Sequence, residues 1–146
     1  MRLRCAIIED LRPDAQALER ALLAASAHSC RLQCTLYASG NEFLRRGALS
    51  EQDVIFLDIC MPGLDGIETA RYLRGEDPRI PIVFVTSSEE YVWDALPLHP
   101  FDYLRKPYDD ARVRKLLDDL LAALGRPEPE LELRVARQLI QVPFRR

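Results

Sequence analysis

Short apolar runs alternate along this chain with segments whose apolar residues recur at helical spacing. Cys5-Ala6-Ile7-Ile8 is the first run, and it stops at two acids, Glu9 and Asp10. Pro13 suits a first helical turn, and Ala17, Leu18, Ala21, Leu22 and Ala25 then recur at i, i+3 and i+4, which predicts a helix from Pro13 to about Ala25. Leu32 to Tyr37 reads as a second strand. Ser39 with Glu42 three residues on is a capping-box pattern, opening a short helix through Leu44 that closes at Gly47. Val54-Ile55-Phe56-Leu57 runs unbroken into Asp58, the pattern of a strand buried on both faces. Pro62-Gly63 and Asp65-Gly66 signal turns, and Ile67 to Leu73 forms the next helix, ended by Gly75 and Pro78. Pro81 to Thr86 is a β-branched fourth strand. Ser87 or Ser88 is expected to cap a fourth helix running from Glu89 until Pro97 stops it. Phe101 to Leu104 is the fifth strand, followed by Lys106-Pro107. Asp109 caps the last helix, whose Val113, Leu116, Leu117, Leu120, Leu121 and Leu124 make an amphipathic face ended by Gly125.

Five strand–helix alternations predict an α/β fold with a five-stranded parallel sheet, because parallel neighbours need crossover connections and the helices then cover both faces. Residues 1–125 therefore read as one domain. The composition shifts after them. Residues 126–130 carry two prolines, three charges and no apolar residue, a linker. Residues 131–146 contain two strand-like pieces, Leu131 to Val135 and Leu139 to Val142.

Charge changes the picture by exclusion. The net charge is −3, and the tail from residue 126 holds five Arg and three Glu, leaving −5 on the body. A body of that sign is a poor nucleic-acid binder by itself, since phosphate contacts need a basic face. Cys5, Cys30, Cys34 and Cys60 form no CxxC pair, and neither His28 nor His99 lies at metal-ligand spacing from them, so free thiols and a reducing compartment are expected. With neither a signal-peptide pattern nor a membrane-spanning stretch, the expected location is cytoplasmic, with no membrane partner.

Parallel strands laid side by side put their carboxyl ends at one rim, where open α/β sheets bind ligands. Glu9, Asp10, Asp58, Thr86 and Lys106 then meet there. Three clustered carboxylates repel without a cation, and hard oxygen ligands suit Mg2+. A lysine and a hydroxyl add contacts to phosphoryl oxygens. The set looks suited to placing a phosphoryl group on Asp58. Lys106 is one of only two lysines among twenty basic residues.

In order, the acid pair, the lone Asp, the Thr and the Lys-Pro resemble the signature of a response-regulator receiver domain, over about residues 3–124. The resemblance implies a flavodoxin-like fold with strand order 2-1-3-4-5. It implies that Asp58 accepts phosphate from the phosphohistidine of a sensor histidine kinase, with Lys106 and Thr86 assisting. Mg2+ would be held by Asp10, Asp58 and the backbone carbonyl of Cys60, with Glu9 acting through water. Thr86 and Tyr103 would form a switch, and Lys106-Pro107 would be a cis peptide. Asp102-Tyr103-Leu104 before the Lys-Pro resembles the receivers of LytTR-type transcriptional regulators, and residues 131–146 resemble the truncated start of their DNA-binding domain. DNA is then expected to be met only through that domain. A homodimer through helix 4, strand 5 and helix 5, or through the tail strand, is the expected output.

Two other readings use the same residues. One is a Mg2+-dependent aspartyl-phosphate phosphatase, against which Ile59 and Cys60 stand where a second acid would be needed. The other is an interaction module indifferent to phosphorylation. The expected answer is a switch, not an enzyme, with slow autodephosphorylation. The duller role of Cys60 is also preferred: its thiol sets local access and is not a redox sensor.

Overall fold

A computed structural model describes residues 1–61 and 65–125; the Pro62-Gly63 turn, the linker and the strand-like tail lie outside the described residues. The elements are β1 (Arg2–Ile8), α1 (Arg12–Ser26), β2 (Arg31–Tyr37), α2 (Gly40–Arg46), β3 (Val54–Asp58), α3 (Gly66–Glu76), β4 (Ile82–Thr86), α4 (Val92–Ala95), β5 (Asp102–Arg105) and α5 (Asp110–Leu124). Short 3-10 turns occupy Leu49–Glu51 and Leu96–Leu98. The sheet is parallel throughout, in the order β2-β1-β3-β4-β5.

Every residue of β3 and β4 is buried, because side chains alternate between two covered faces. Ile7, Phe56, Val83 and Val85 point to the face where Leu18 and Leu22 of α1 meet Val113, Leu116 and Leu120 of α5. Ala6, Ile8, Ile55, Leu57 and Phe84 point to the other, under Phe43 of α2 and Ile67, Ala70 and Leu73 of α3. The two helices that flank the acid pair and follow the Lys-Pro thus lie on one face.

Three helices begin on side-chain caps. Ser39 Oγ accepts from Glu42 N at 3.0 Å, Asp65 Oδ1 from Glu68 N at 2.9 Å, and Asp109 Oδ1 from Arg112 N at 2.8 Å. The Glu42 carboxylate accepts from Ala38 N, one residue before the position a capping box uses. Helix 4 differs most from expectation. It covers only Val92–Ala95, and Glu89 is not part of it. Residues 87–91 instead spend hydrogen bonds on local turns: Thr86 Oγ1 accepts from Ser88 N at 3.3 Å, and Ser88 Oγ from Glu90 N at 3.1 Å. Such side-chain-to-backbone bonds compete with the helical ladder. Past α4, Pro97 sits inside a 3-10 turn and His99 turns left-handed at φ 54°.

Candidate functional site

The strand ends determine what meets at the rim. Asp58 is the last residue of β3 and Thr86 the last of β4. Glu9 and Asp10 follow β1, and Lys106 follows β5. Glu9 N donates to Tyr37 O at 2.9 Å and Lys106 N to Thr86 O at 2.8 Å, so both flanking residues are tied by backbone to neighbouring strand ends. The Lys106–Pro107 peptide is cis.

Glu9, Asp10 and Asp58 offer carboxylate oxygens that all lie within 4.8 Å of one another. Glu9 and Asp58 are buried, and Asp10 Oδ1 is a buried oxygen without a hydrogen-bond partner among the described residues. A buried acceptor left unpaired is costly unless something absent from the protein itself pairs it. Burial holds the Glu9 carboxyl above its ordinary range, helped by its hydrogen bond with Asp58 and opposed by Lys106. Burial likewise raises Asp10, aided by Glu9. These three oxygens, hard donors of one charge around an orphaned acceptor, fit a divalent cation.

Lys106 does not sit on Asp58. Its Nζ lies 2.5 Å from Glu9 Oε1 and 2.8 Å from Asp14 Oδ2, against 4.0 Å from Asp58 Oδ2. Burial alone would lower the pKa of this ammonium. The Asp14 and Glu9 hydrogen bonds and the Asp58 charge outweigh that and hold it above its usual value. Asp58 Oδ1 accepts instead from Cys60 N at 3.2 Å, which closes the turn after β3. Cys60 is exposed, with its Sγ 3.8 Å from the fully buried Thr86 hydroxyl. Tyr103 is half-buried and donates from its hydroxyl to Ser88 O at 2.8 Å.

The structure therefore brings Glu9, Asp10, Asp58, Thr86, Cys60 and Lys106 to one rim, and places Tyr103 one turn away through Ser88. Two residues of the site escape a reading of the sequence. Asp14 looks like an ordinary first-turn acid of α1; only its place four residues beyond Asp10 hints that it returns to the same rim. Gly66 reads as a turn glycine, yet it opens α3 against the acceptor strand. A Cβ there would lie 2.2 Å from the Asp58 carbonyl oxygen and 2.6 Å from Ile59 Cα, both backbone atoms that cannot rotate away. Gly66→Ala is expected to cost about 2–3 kcal/mol in denaturant unfolding, and to slow any chemistry at Asp58 even under conditions where the fold persists.

Comparison with known proteins identifies the family and the fold. The family model described as "Response regulator receiver domain" matches residues 6–118. The sensory transduction protein LytT of Oceanobacillus iheyensis is 35% identical over 94 residues, 63% of this chain and 38% of its own length. The DNA-binding transcriptional regulator NtrC of Klebsiella pneumoniae is 33% identical over 114 residues, 77% of this chain and 23% of that protein. The solved response regulatory domain of protein mrkE from Klebsiella pneumoniae superposes with a TM-score of 0.73 at 29% identity, covering 83% of this chain and 97% of that domain. The chain spans under half the length of the curated relatives it matches, from 21% to 48%.

Proposed function

This chain belongs to the response-regulator receiver domain family, whose general role is a phosphorylation switch, and on that premise we propose that Asp58 is the phosphoryl acceptor. The donor is the phosphohistidine of a sensor histidine kinase. An Asp58 carboxylate oxygen attacks phosphorus, the P–N bond breaks, and the electron pair leaves with the imidazole. The observation that carries this reading is the position of Asp58, buried at the end of β3 between two further carboxylates and an ammonium.

Glu9, Asp10, Asp58 and the Cys60 carbonyl would hold Mg2+, the cation that hard oxygen donors and a phosphoryl ligand favour. When bound, it offsets the charge of the incoming phosphoryl group. Lys106 and the Thr86 hydroxyl receive the phosphoryl oxygens. The Thr86 hydroxyl that donates there also accepts from Ser88 N, so a movement of Thr86 pulls on Ser88, and Tyr103 donates to the carbonyl of that same residue. Ser88 is thus the node through which an acceptor-site event reaches β5. Phosphorylation shifts this two-state element, and the α4–β5–α5 face carries the outcome. In the intact protein that outcome is regulation of transcription through a DNA-binding region.

Incubation with phosphoramidate and Mg2+ tests the acceptor, and sedimentation of the same samples tests the output. Trp93 is 80% exposed and Leu96 49% exposed beside it, an apolar pair on α4 and the turn after it that a dimer would cover. Trp93→Ala is expected to weaken phosphorylation-induced dimerisation by at least about tenfold, as loss of a central aromatic anchor does, while leaving the labelling rate unchanged. A variant that dimerises like the wild type would remove this face from the interface.

A further inference from the structure

The functional reading uses Glu9 and Asp58 but leaves one partner of Lys106 without a role. Asp14 lies in the first turn of α1, and its Oδ2 stands 2.8 Å from Lys106 Nζ. Resting on the acceptor reading above, we infer that Asp14 is a positioning residue: it holds Lys106 back from Asp58 in the unphosphorylated protein, and Lys106 exchanges it for a phosphoryl oxygen when Asp58 is modified.

Geometry supports this in three ways. An ammonium has three donors. Two of them are engaged by Glu9 and Asp14, at 2.5 and 2.8 Å, while Asp58 at 4.0 Å is beyond hydrogen-bond reach. Second, Asp14 stands outside the cluster of Glu9, Asp10 and Asp58 that fits a cation. Cation binding would compete with Lys106 for Glu9 but leaves Asp14 free to keep its grip. Asp14 is therefore the anion whose pull on Nζ is independent of the metal. Third, the contact is available for exchange. The Asp14 side chain is 39% exposed and water can replace the lysine there, whereas Asp58 is 6% exposed and offers no such replacement. The N-terminal turn of α1 also favours an acid at this position with or without Lys106.

Asp14→Asn keeps the shape and removes the charge. The exchange then begins from a weaker contact, and a half-exposed ion pair is worth roughly a two- to fivefold change in rate. Full-length protein with phosphoramidate and Mg2+ should be labelled about two to five times faster in Asp14→Asn than in the wild type, and Asp14→Glu, which restores the charge, should return towards the wild-type rate. A second readout needs no phosphate. The chain has two lysines, Lys106 and Lys115, so a 15Nζ lysine spectrum of the unmodified protein has two side-chain signals, and Lys115→Arg assigns them. Asp14→Asn should move the Lys106 signal and speed its hydrogen exchange, leaving Lys115 in place. Unfolding midpoints of both Asp14 variants establish that the folded state is being compared. Labelling of Asp14→Asn at or below the wild-type rate, or an unmoved Lys106 signal, overturns the role of Asp14 while the acceptor reading stands. A wild type that takes no phosphate overturns the acceptor reading and the exchange together.

Discussion

Asp58→Asn is expected to abolish phosphoryl incorporation, lowering its rate by at least about 10^3-fold, the scale on which loss of a nucleophile acts. The reason is chemical. A carboxylate oxygen carries the electron pair that attacks phosphorus, whereas an amide oxygen at the same place is nearly neutral and its nitrogen donates hydrogen bonds. The fold should survive. Asn Oδ1 can still accept from Cys60 N, as Asp58 Oδ1 does at 3.2 Å, and its loss of charge relieves repulsion with Glu9 and Asp10. The variant therefore separates chemistry from folding: unfolding in denaturant should be as cooperative as in the wild type, with no label on the protein. Every downstream effect assigned to phosphorylation, including dimerisation through the Trp93 face, should vanish with it. Labelling of the variant at the wild-type rate would place the acceptor elsewhere.

The second large effect concerns the cation. Glu9 and Asp10 both have carboxyl groups raised above their ordinary values, by burial first and by neighbouring acids second. An acid raised in the folded state binds more protons there than in the unfolded chain, so the slope of stability with pH is negative. Without a divalent cation, the protein should lose stability as pH rises from about 4, the ordinary carboxyl range, through the raised folded values. As both acids lose their protons, their mutual repulsion grows. Mg2+ should reverse this. At a hundred times its dissociation constant, a ligand of the folded state contributes about 2.7 kcal/mol. Asp10→Asn removes one negative charge from beside Glu9 and Asp58 and supplies an amide NH2 that can donate to them. The variant should be more stable than the wild type in EDTA at pH 7. A hundredfold weaker site would leave the same Mg2+ concentration contributing only about 0.4 kcal/mol. Thermal unfolding with and without Mg2+, across pH, measures all of this. Equal Mg2+ stabilisation of the two proteins would remove Asp10 from the cation site.

The sheet was legible because buried parallel strands leave a plain mark. Val54–Asp58 is apolar until its last residue, and that residue is where the backbone ladder stops and the rim begins. The same rule located Glu9, Asp10, Thr86 and Lys106, since strand ends in a parallel sheet share one edge. Helix 4 was misjudged in extent because Ser88, Glu89 and Glu90 have ordinary helical credentials in sequence. The competing hydrogen bonds of Thr86 and Ser88 become visible only in three dimensions. Asp14 was missed for a related reason. Its partner is 92 residues away, just past a strand that is not adjacent to β1 in the sheet, so neither periodicity nor spacing connects them. Gly66 was visible as a glycine but not as a spacer, because the backbone it must clear belongs to another element. Ser88, which links Thr86 to Tyr103, reads in the sequence only as a candidate helix cap after β4.

A phosphoryl group is expected to land on Asp58 and on no other residue. The most direct measurement is intact-protein and peptide mass spectrometry after incubation with phosphoramidate and Mg2+, with borohydride trapping of the acyl phosphate. One phosphate per chain is expected, dependent on Mg2+ and confined to the peptide containing Asp58. A phosphate on another residue, or a protein that remains unmodified while a known receiver is labelled under the same conditions, would contradict it.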